Sequence, residues 1–359
     1  MTSNHPLDED ATIARMRDVL KRQQVAFMTE GPPSTALRID RIDRVIQLLL
    51  VNQQRLCRAL ASDFSWRSHD QSLMSDVLLS VAGFKYVRKH LRNWMKPQRR
   101  SPEMGAGRLG AKAEIYFQPL GRIGIMAPWN FPVAITLGPL AEALAAGNRA
   151  MIMLSEFTPA TAALLIELLA GVFDETEVAA FVGGAKVGAA FSGLPLDHIV
   201  FTGSPRVGKL VMAAAAENLT PLTLELGGKS PTIIGRGADL DSAARRIWGG
   251  KAVNSGQACI APDYVLVHED DREHLLTRMQ TELQHIFQSD LRFGGCGNSG
   301  FGHYRGGEGF KAFSLQRSVF KPAWFDVMGL LRPPYGSLSR RVMGALLKAP
   351  AEKQQRSRA

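Results

Sequence analysis

Apolar residues recur at helical spacing from Asp8 to about Phe27 and again from Thr35 to about Ser62, which predicts two packing helices. In the second, Ile39, Ile42, Val45, Ile46 and Leu49 form one stripe. A third helix is expected from about Gln71 to Met95, ending before Pro97, and the Gly/Pro/Arg-rich stretch to Lys112 reads as a turn or loop. From Gly121 the pattern changes to short apolar runs alternating with helical ones. Gly121 to Ala127 is a predicted strand, Gly138 to Ala146 a helix closed by Gly147-Asn148, and Ala150 to Leu154 a second strand. The next helix takes Thr158 as cap and Pro159 as its first residue, and runs through Leu169. A third strand, Ile199 to Thr202, delivers Gly203-Ser204-Pro205-Arg206-Val207-Gly208 to the start of a helix. This alternation predicts an α/β fold with a doubly wound, Rossmann-like parallel sheet. Backbone amides at such a strand-to-helix turn hold a pyrophosphate, although glycine-bounded turns of this kind also occur where nothing binds.

With 359 residues, 45% of them hydrophobic, the chain can bury a substantial core and is expected to divide into domains. No apolar run reaches the length of a membrane span, and Met1 to Asp10 lacks the basic and apolar regions of a signal peptide, so a cytoplasmic location is expected. The formal charge of +10 suits an anionic partner, but the basic residues are scattered. The densest run, Arg88-Lys89-His90 with Arg92, Lys96, Arg99 and Arg100, reads as a solvated helix face, so no nucleic-acid partner is expected. Lys353 to Arg358 reads as a disordered tail. Three cysteines, Cys57, Cys259 and Cys296, make no disulfide framework, and none has zinc-ligand spacing; no metal is expected.

Candidate chemistry gathers around Val253-Asn254-Ser255-Gly256-Gln257-Ala258-Cys259-Ile260, where a cysteine lies in a small-residue segment between two apolar elements. A buried thiol serving as a small hydrophobe is the plain alternative. Upstream, Leu224-Glu225-Leu226-Gly227-Gly228-Lys229-Ser230-Pro231 puts a carboxylate on a short apolar strand that runs into a glycine turn. Desolvation there should raise the Glu225 pKa, as a general base working near neutrality requires.

Four motifs in order carry a family resemblance: Pro128-Trp129-Asn130-Phe131-Pro132, Phe201-Thr202-Gly203-Ser204, Leu224-Glu225-Leu226-Gly227-Gly228 and Gly256-Gln257-Ala258-Cys259. With them the chain resembles the aldehyde dehydrogenase superfamily from about Leu37 onward, most closely from Pro119 to His268. His303-Tyr304 and Arg332-Pro333-Pro334-Tyr335-Gly336 make it similar to the coniferyl-aldehyde-dehydrogenase branch. The resemblance implies NAD(P)-dependent oxidation of an aldehyde, aromatic or medium-chain, through a cysteine thiohemiacetal and thioester. It implies Cys259 as nucleophile, Asn130 as oxyanion donor and Glu225 as the base that activates water, with Trp129 and Lys229 as positioning residues. Glu156 would hydrogen-bond the adenosine ribose, and Gly203, Ser204, Gly208, Leu226 and Gly227 would complete the cofactor site. Met153 replaces the family's lysine three residues before that Glu, which should weaken NADP more than NAD. The resemblance also implies a homodimer through an arm near residues 97–118, with Ala113 to Leu120 as its strand.

The likeness breaks after Cys259. The glycine-rich segment Phe293-Gly294-Gly295-Cys296-Gly297-Asn298-Ser299-Gly300 arrives early, with a join near Ser289-Asp290-Leu291, and the family's Glu-x-Phe-Gly-Pro motif has no equivalent. The expected organisation is therefore residues 1–226 for the N-terminal helices and dinucleotide-binding domain, 227–310 for a shortened catalytic domain, and 311–359 for a closing segment and tail. Cys296 and His303 read as structural, and Gly329 to Leu347 as a terminal amphipathic helix that helps a dimer or lies near a membrane surface. The shortening raises an alternative to turnover: a remnant that binds dinucleotide or a full-length relative.

Overall fold

The computed structural model describes residues 9–65, 67–100, 113–286 and 336–347. Two compact units divide the chain, residues 1–226 with 346–359 and residues 227–345.

In the first unit the two leading patterns fold as α1 (Glu9–Glu30) and α2 (Thr35–Phe64). Ser34 caps α2 by accepting from the Leu37 amide, and Ile42, Val45, Ile46 and Leu49 are buried as one stripe. The third helical pattern is interrupted. It comprises α3 (His69–Ser72), a π-helical turn over Leu73–Leu78, and α4 (Leu79–Trp94). Part of the stretch read as a loop is strand instead: β1 (Gln98–Arg100) pairs antiparallel with β2 (Ala113–Ile115) in a separate ribbon.

The sheet is parallel, built from β3 (Arg122–Met126), β4 (Arg149–Leu154), β5 (Val178–Val182), β6 (His198–Gly203) and β7 (Leu222–Leu226). Its spatial order is β5-β4-β3-β6-β7. Helices α5 (Ala134–Ala146), α6 (Pro159–Ala170), α7 (Ala185–Ser192) and α8 (Pro205–Ala216) make the crossovers. One face is covered by α1, α7 and α8, which enclose Met16, Val19, Met151, Phe181, Phe191, Ile199 and Phe201 in one core. α5 and α6 cover the other face, backed by α2 and α4. The doubly wound expectation holds, but Ile199 to Thr202 is the fourth strand of the sheet in chain order, because β5 and α7 precede it. The alanine-rich Val178-Ala179-Ala180-Phe181-Val182 carries a weak strand signal, and burial on both faces is what holds it in place.

Within the second unit, β8 (Ser230–Ile233) and β9 (Pro262–Leu266) pair in parallel. Helices α9 (Leu240–Ala252) and α10 (Glu269–Ile286) close a small core of Ile234, Leu240, Ala244, Ile247, Leu275 and Met279. The Trp248 indole donates to the Met279 carbonyl at 2.7 Å, and Arg278 pairs with Asp241. The expected terminal helix forms as α11 (Ser337–Leu346), with Met343 and Leu347 buried. The segment around Phe293, Cys296 and His303, the join near Asp290 and the tail lie outside the described residues. Among the described residues no helix is long and apolar enough to cross a membrane.

Candidate active site

In an open parallel sheet, ligands lie beyond the carboxyl ends of the strands, where the strand order reverses. Here the reversal is at β3, flanked by β4 on one side and β6 on the other. The carboxyl ends of these three strands deliver the expected residues of this unit to one edge. β3 leads to Trp129 and Asn130, β4 to Glu156, and β6 to Gly203 and Ser204.

The β6–α8 turn has the chemistry of an anion site. The Ser204 hydroxyl caps α8 by accepting from the Val207 amide at 3.3 Å, Pro205 occupies the first helical position, and the first turn holds Arg206 and no acidic residue. Ser204, Pro205 and Arg206 are all exposed, so a phosphate can reach the positive end of the helix dipole. A side chain on Gly203 would come within 2.5 Å of the Phe201 ring, and one on Gly208 within 3.0 Å of Leu226. Packing between α8, β6 and β7 is tight at both positions, which by itself accounts for the glycines. Glu156 is exposed after β4, and Met153 is buried in the sheet core.

The Asn130 loop is anchored from beneath. Arg67 donates through Nη1 to the Asn130 carbonyl at 3.3 Å and through Nη2 to Ser75 Oγ at 2.7 Å, and it pairs with Asp76. Asp76 Oδ1 accepts from the Val133 and Ala134 amides at 3.0 and 2.9 Å, at the start of α5. The Arg67 guanidinium lies over the rings of Phe64 and Phe131, and Phe64 packs against Trp129. Burial raises the Asp76 carboxyl above its usual range, opposed by Arg67 and by the two amides. Neither Arg67 nor Asp76 stood out from sequence. The available signal was a carboxylate inside the apolar run Leu73-Met74-Ser75-Asp76-Val77-Leu78.

Glu225 closes this unit on β7, an edge strand of its sheet. The desolvation expected of it is not found, because its side chain is exposed. Leu222 and Leu224 point to the core side, and the two-residue strand period turns Glu225 to the other face.

Cys259 belongs to the second unit, in the turn before β9. Asn254, Ser255 and Gly256 all have positive φ, at 48°, 58° and 76°. Two such non-glycine residues in sequence mark a locally strained backbone, a feature that concentrates at functional sites. Buried Asn254 steadies the turn, with its carbonyl accepting from the Gln257 amide at 3.0 Å. Beyond it Cys259 is exposed, and its carbonyl accepts from Ser230 Oγ at 3.2 Å. A side chain on Gly228 would crowd that carbonyl at 3.1 Å, which accounts for the glycine beside the cysteine turn. Lys229 is exposed and pairs with Asp263 at 3.2 Å. Lys251 passes under Gly256, and burial lowers its ammonium pKa despite the opposing charge of Asp263. Of the expected site residues, Asn130, Trp129, Glu156, Gly203, Ser204, Gly208, Glu225 and Leu226 therefore lie in the first unit, and Gly227 and Cys259 in the second. Among the described residues no cluster of His, Cys, Asp and Glu could hold a metal ion.

Residues 10–290 match the aldehyde dehydrogenase family. A "Probable coniferyl aldehyde dehydrogenase" of Caulobacter vibrioides is 50% identical over 282 residues, covering 78% of this chain and 58% of that protein. Among solved structures, the substrate-bound state of Staphylococcus aureus AldH superposes with a TM-score of 0.73 at 32% identity, over 77% of this chain and 59% of that one. The NAD+ complex of an aldehyde dehydrogenase from Bacillus cereus superposes with a TM-score of 0.68 at 26% identity, over 77% and 56%. The chain thus spans little more than half the length of the relatives it matches.

Proposed function

Because the chain belongs to the aldehyde dehydrogenase family, we propose that it oxidises an aldehyde to a carboxylic acid with a nicotinamide dinucleotide, using Cys259, Asn130 and Glu225. The observation that carries this reading is the exposed Cys259 beyond the strained Asn254-Ser255-Gly256 turn. A bound dinucleotide supplies the hydride acceptor. Its pyrophosphate fits the exposed, electropositive start of α8 at Ser204 and Arg206, and Glu156 at the end of β4 suits a ribose hydroxyl.

The chain's own residues do the rest. The Cys259 thiolate adds to the carbonyl carbon, and the charge that develops on the oxygen is met by the Asn130 side-chain amide and the Cys259 N–H. Once hydride has left that carbon, the acyl group is a thioester on Cys259. Glu225 takes a proton from water, which attacks the acyl carbon. The C–S bond breaks, the acid leaves and the thiolate is restored.

The substrate class is an aromatic or medium-chain aldehyde, a reading supported by the coniferyl-type relative. NAD is preferred over NADP, because Met153 offers no cation for a 2′-phosphate. The β1–β2 ribbon, with Ile115, Tyr116, Phe117 and Leu120 exposed around it, joins two copies in a cytoplasmic homodimer. The test is NADH formation by protein of verified intact mass, with benzaldehyde-type and medium-chain aldehydes. Turnover that disappears in Cys259→Ser supports the reading. Wild-type turnover in that variant removes Cys259 from the mechanism, and a dinucleotide-stabilised protein that forms no NADH is a binding remnant.

A further inference from the structure

We propose that the buried pair Arg67–Asp76 is the device that positions Asn130, with both side chains acting as positioning residues. The inference rests on reading Asn130 as the oxyanion donor. Three observations carry it. First, the pair grips the Asn130 segment at both ends: Arg67 holds the Asn130 carbonyl at 3.3 Å, and Asp76 Oδ1 holds the Val133 and Ala134 amides at 3.0 and 2.9 Å. The intervening Phe131 is pinned further, its ring 5.4 Å from the Arg67 guanidinium, which also lies 4.8 Å from the Phe64 ring.

Second, the pair is dry, with side-chain exposures of 3% for Arg67 and 0% for Asp76. A buried ion pair is no better for stability than a well-packed apolar pair, so stability alone does not call for this one. What charge adds is direction. One guanidinium fork and one carboxylate satisfy the backbone at Asn130 and at the start of α5 in fixed geometry, which apolar side chains cannot do. Third, Asp76 projects from the π-helical turn Leu73–Leu78, whose widened winding separates α3 from α4. Such turns are rare and occur disproportionately at functional sites. Ser80 Oγ donates to the Asp76 carbonyl at 2.6 Å and Ser75 Oγ to the Gln71 carbonyl at 2.7 Å, so hydroxyls brace the turn that aims the carboxylate.

An oxyanion donor works only if it is held where charge develops, and small displacements are expensive in rate. The test compares wild type with Arg67→Lys and Asp76→Asn by hydrogen exchange and steady-state kinetics, with Glu177→Gln as a variant that costs stability elsewhere in the same unit. Lysine keeps the charge but not the fork, and asparagine keeps an acceptor but not the charge. Both should speed exchange across residues 127–137 by about tenfold or more while the amides of β4 and β5 stay within about twofold, a local rather than global opening. In the same variants kcat should fall by about tenfold or more at a near-constant KM for NAD. Glu177→Gln should show neither effect. Unchanged exchange over 127–137, or acceleration spread evenly through the unit, overturns the proposal. Arg67→Lys, the milder change, carries the test if Asp76→Asn fails to fold. A wild type without turnover removes the oxyanion role from Asn130, and exchange alone then decides whether the pair clamps the loop.

Discussion

Cys57 and Cys259 are the two described thiols, and their surroundings assign them opposite behaviour. Cys57 is buried on α2, where desolvation first and the charge of Asp76 second push its thiol up to about 12. Cys259 is exposed in its turn. Brief alkylation near neutral pH followed by peptide mapping should find Cys259 modified and Cys57 untouched until denaturant is added; comparable labelling of Cys57 would contradict its burial. The same shift sets the sign of an alkaline effect. In the unfolded chain the thiol ionises near about 8.5, whereas in the folded chain it stays protonated to about 12. Its contribution is fully present below the unfolded value and is lost as pH rises toward 12, so Cys57→Ser should show a shallower alkaline fall in melting temperature. The turn that carries Cys259 was legible from its small-residue segment, Asn254-Ser255-Gly256. The exposure of Glu225 was not, because a carboxylate between two leucines reads as buried until the strand is known to lie at a sheet edge, with its alternate residues turned away from the core.

At the scale of elements, two helices of the sheet's α2-covered face take their caps from other helices. α5 is capped by Asp76, and α6 by Asp63 of α2, whose carboxylate accepts from the Ala160 and Thr161 amides at 2.9 and 2.8 Å. Thr158 occupies the cap position of α6, as its sequence suggests, but its side chain makes no cap hydrogen bond and its buried hydroxyl has no partner among the described residues. Asp63→Ala should therefore cost about 1 kcal/mol, the usual worth of a cap, and Thr158→Val should be neutral or stabilising; the reverse order in urea unfolding would restore Thr158 as the cap. The same remoteness explains a boundary missed from sequence. Nothing in Pro132-Val133-Ala134-Ile135 announces a helix start, because the capping carboxylate comes from a distant part of the chain, so α5 was legible only from Gly138 onward and its first turn was not. The α2–β5 junction adds a test with a pH sign. Burial raises the Glu177 carboxyl, but hydrogen bonds and charge from Arg44 and Arg41 outweigh it and leave the pKa lowered. A depressed carboxylate stabilises above its unfolded value of about 4.3, and that stability is lost as pH falls through the lower folded value. Glu177→Gln should cost about 2 kcal/mol at neutral pH and less below pH about 4. An equal loss at both pH values would show that the pair contributes through shape alone.

For the whole molecule, the residues proposed to hold the cofactor share the first unit with Asn130 and Glu225, and the proposed nucleophile lies in the second. The β6–α8 turn, Glu156 and the reversal of strand order belong to the first, and Cys259 with its strained turn to the second. Alternating strands and helices made most of the first unit legible, because the apolar runs other than β5 and α7 were long enough to declare their period. The second, with a two-stranded sheet and a small core, was readable mainly through its motifs. The division predicts that dinucleotide affinity outlives catalysis. NAD at about a hundred times its Kd adds about 2.7 kcal/mol to the stability of whatever folds around it, by mass action. Cys259→Ser, altered in the other unit and by a single atom, should keep that rise in melting temperature while NADH formation stops. NADP at the same concentration should raise it less if the ribose lies at Glu156 as proposed, because a 2′-phosphate there would meet that carboxylate and find no cation at the buried Met153. An equal shift with NADP would mean that another cation holds the 2′-phosphate, with Arg206 at the start of α8 the first to replace. A shift lost in Cys259→Ser would mean instead that the dinucleotide is held only when the cysteine turn is intact, so that binding, like chemistry, requires both units.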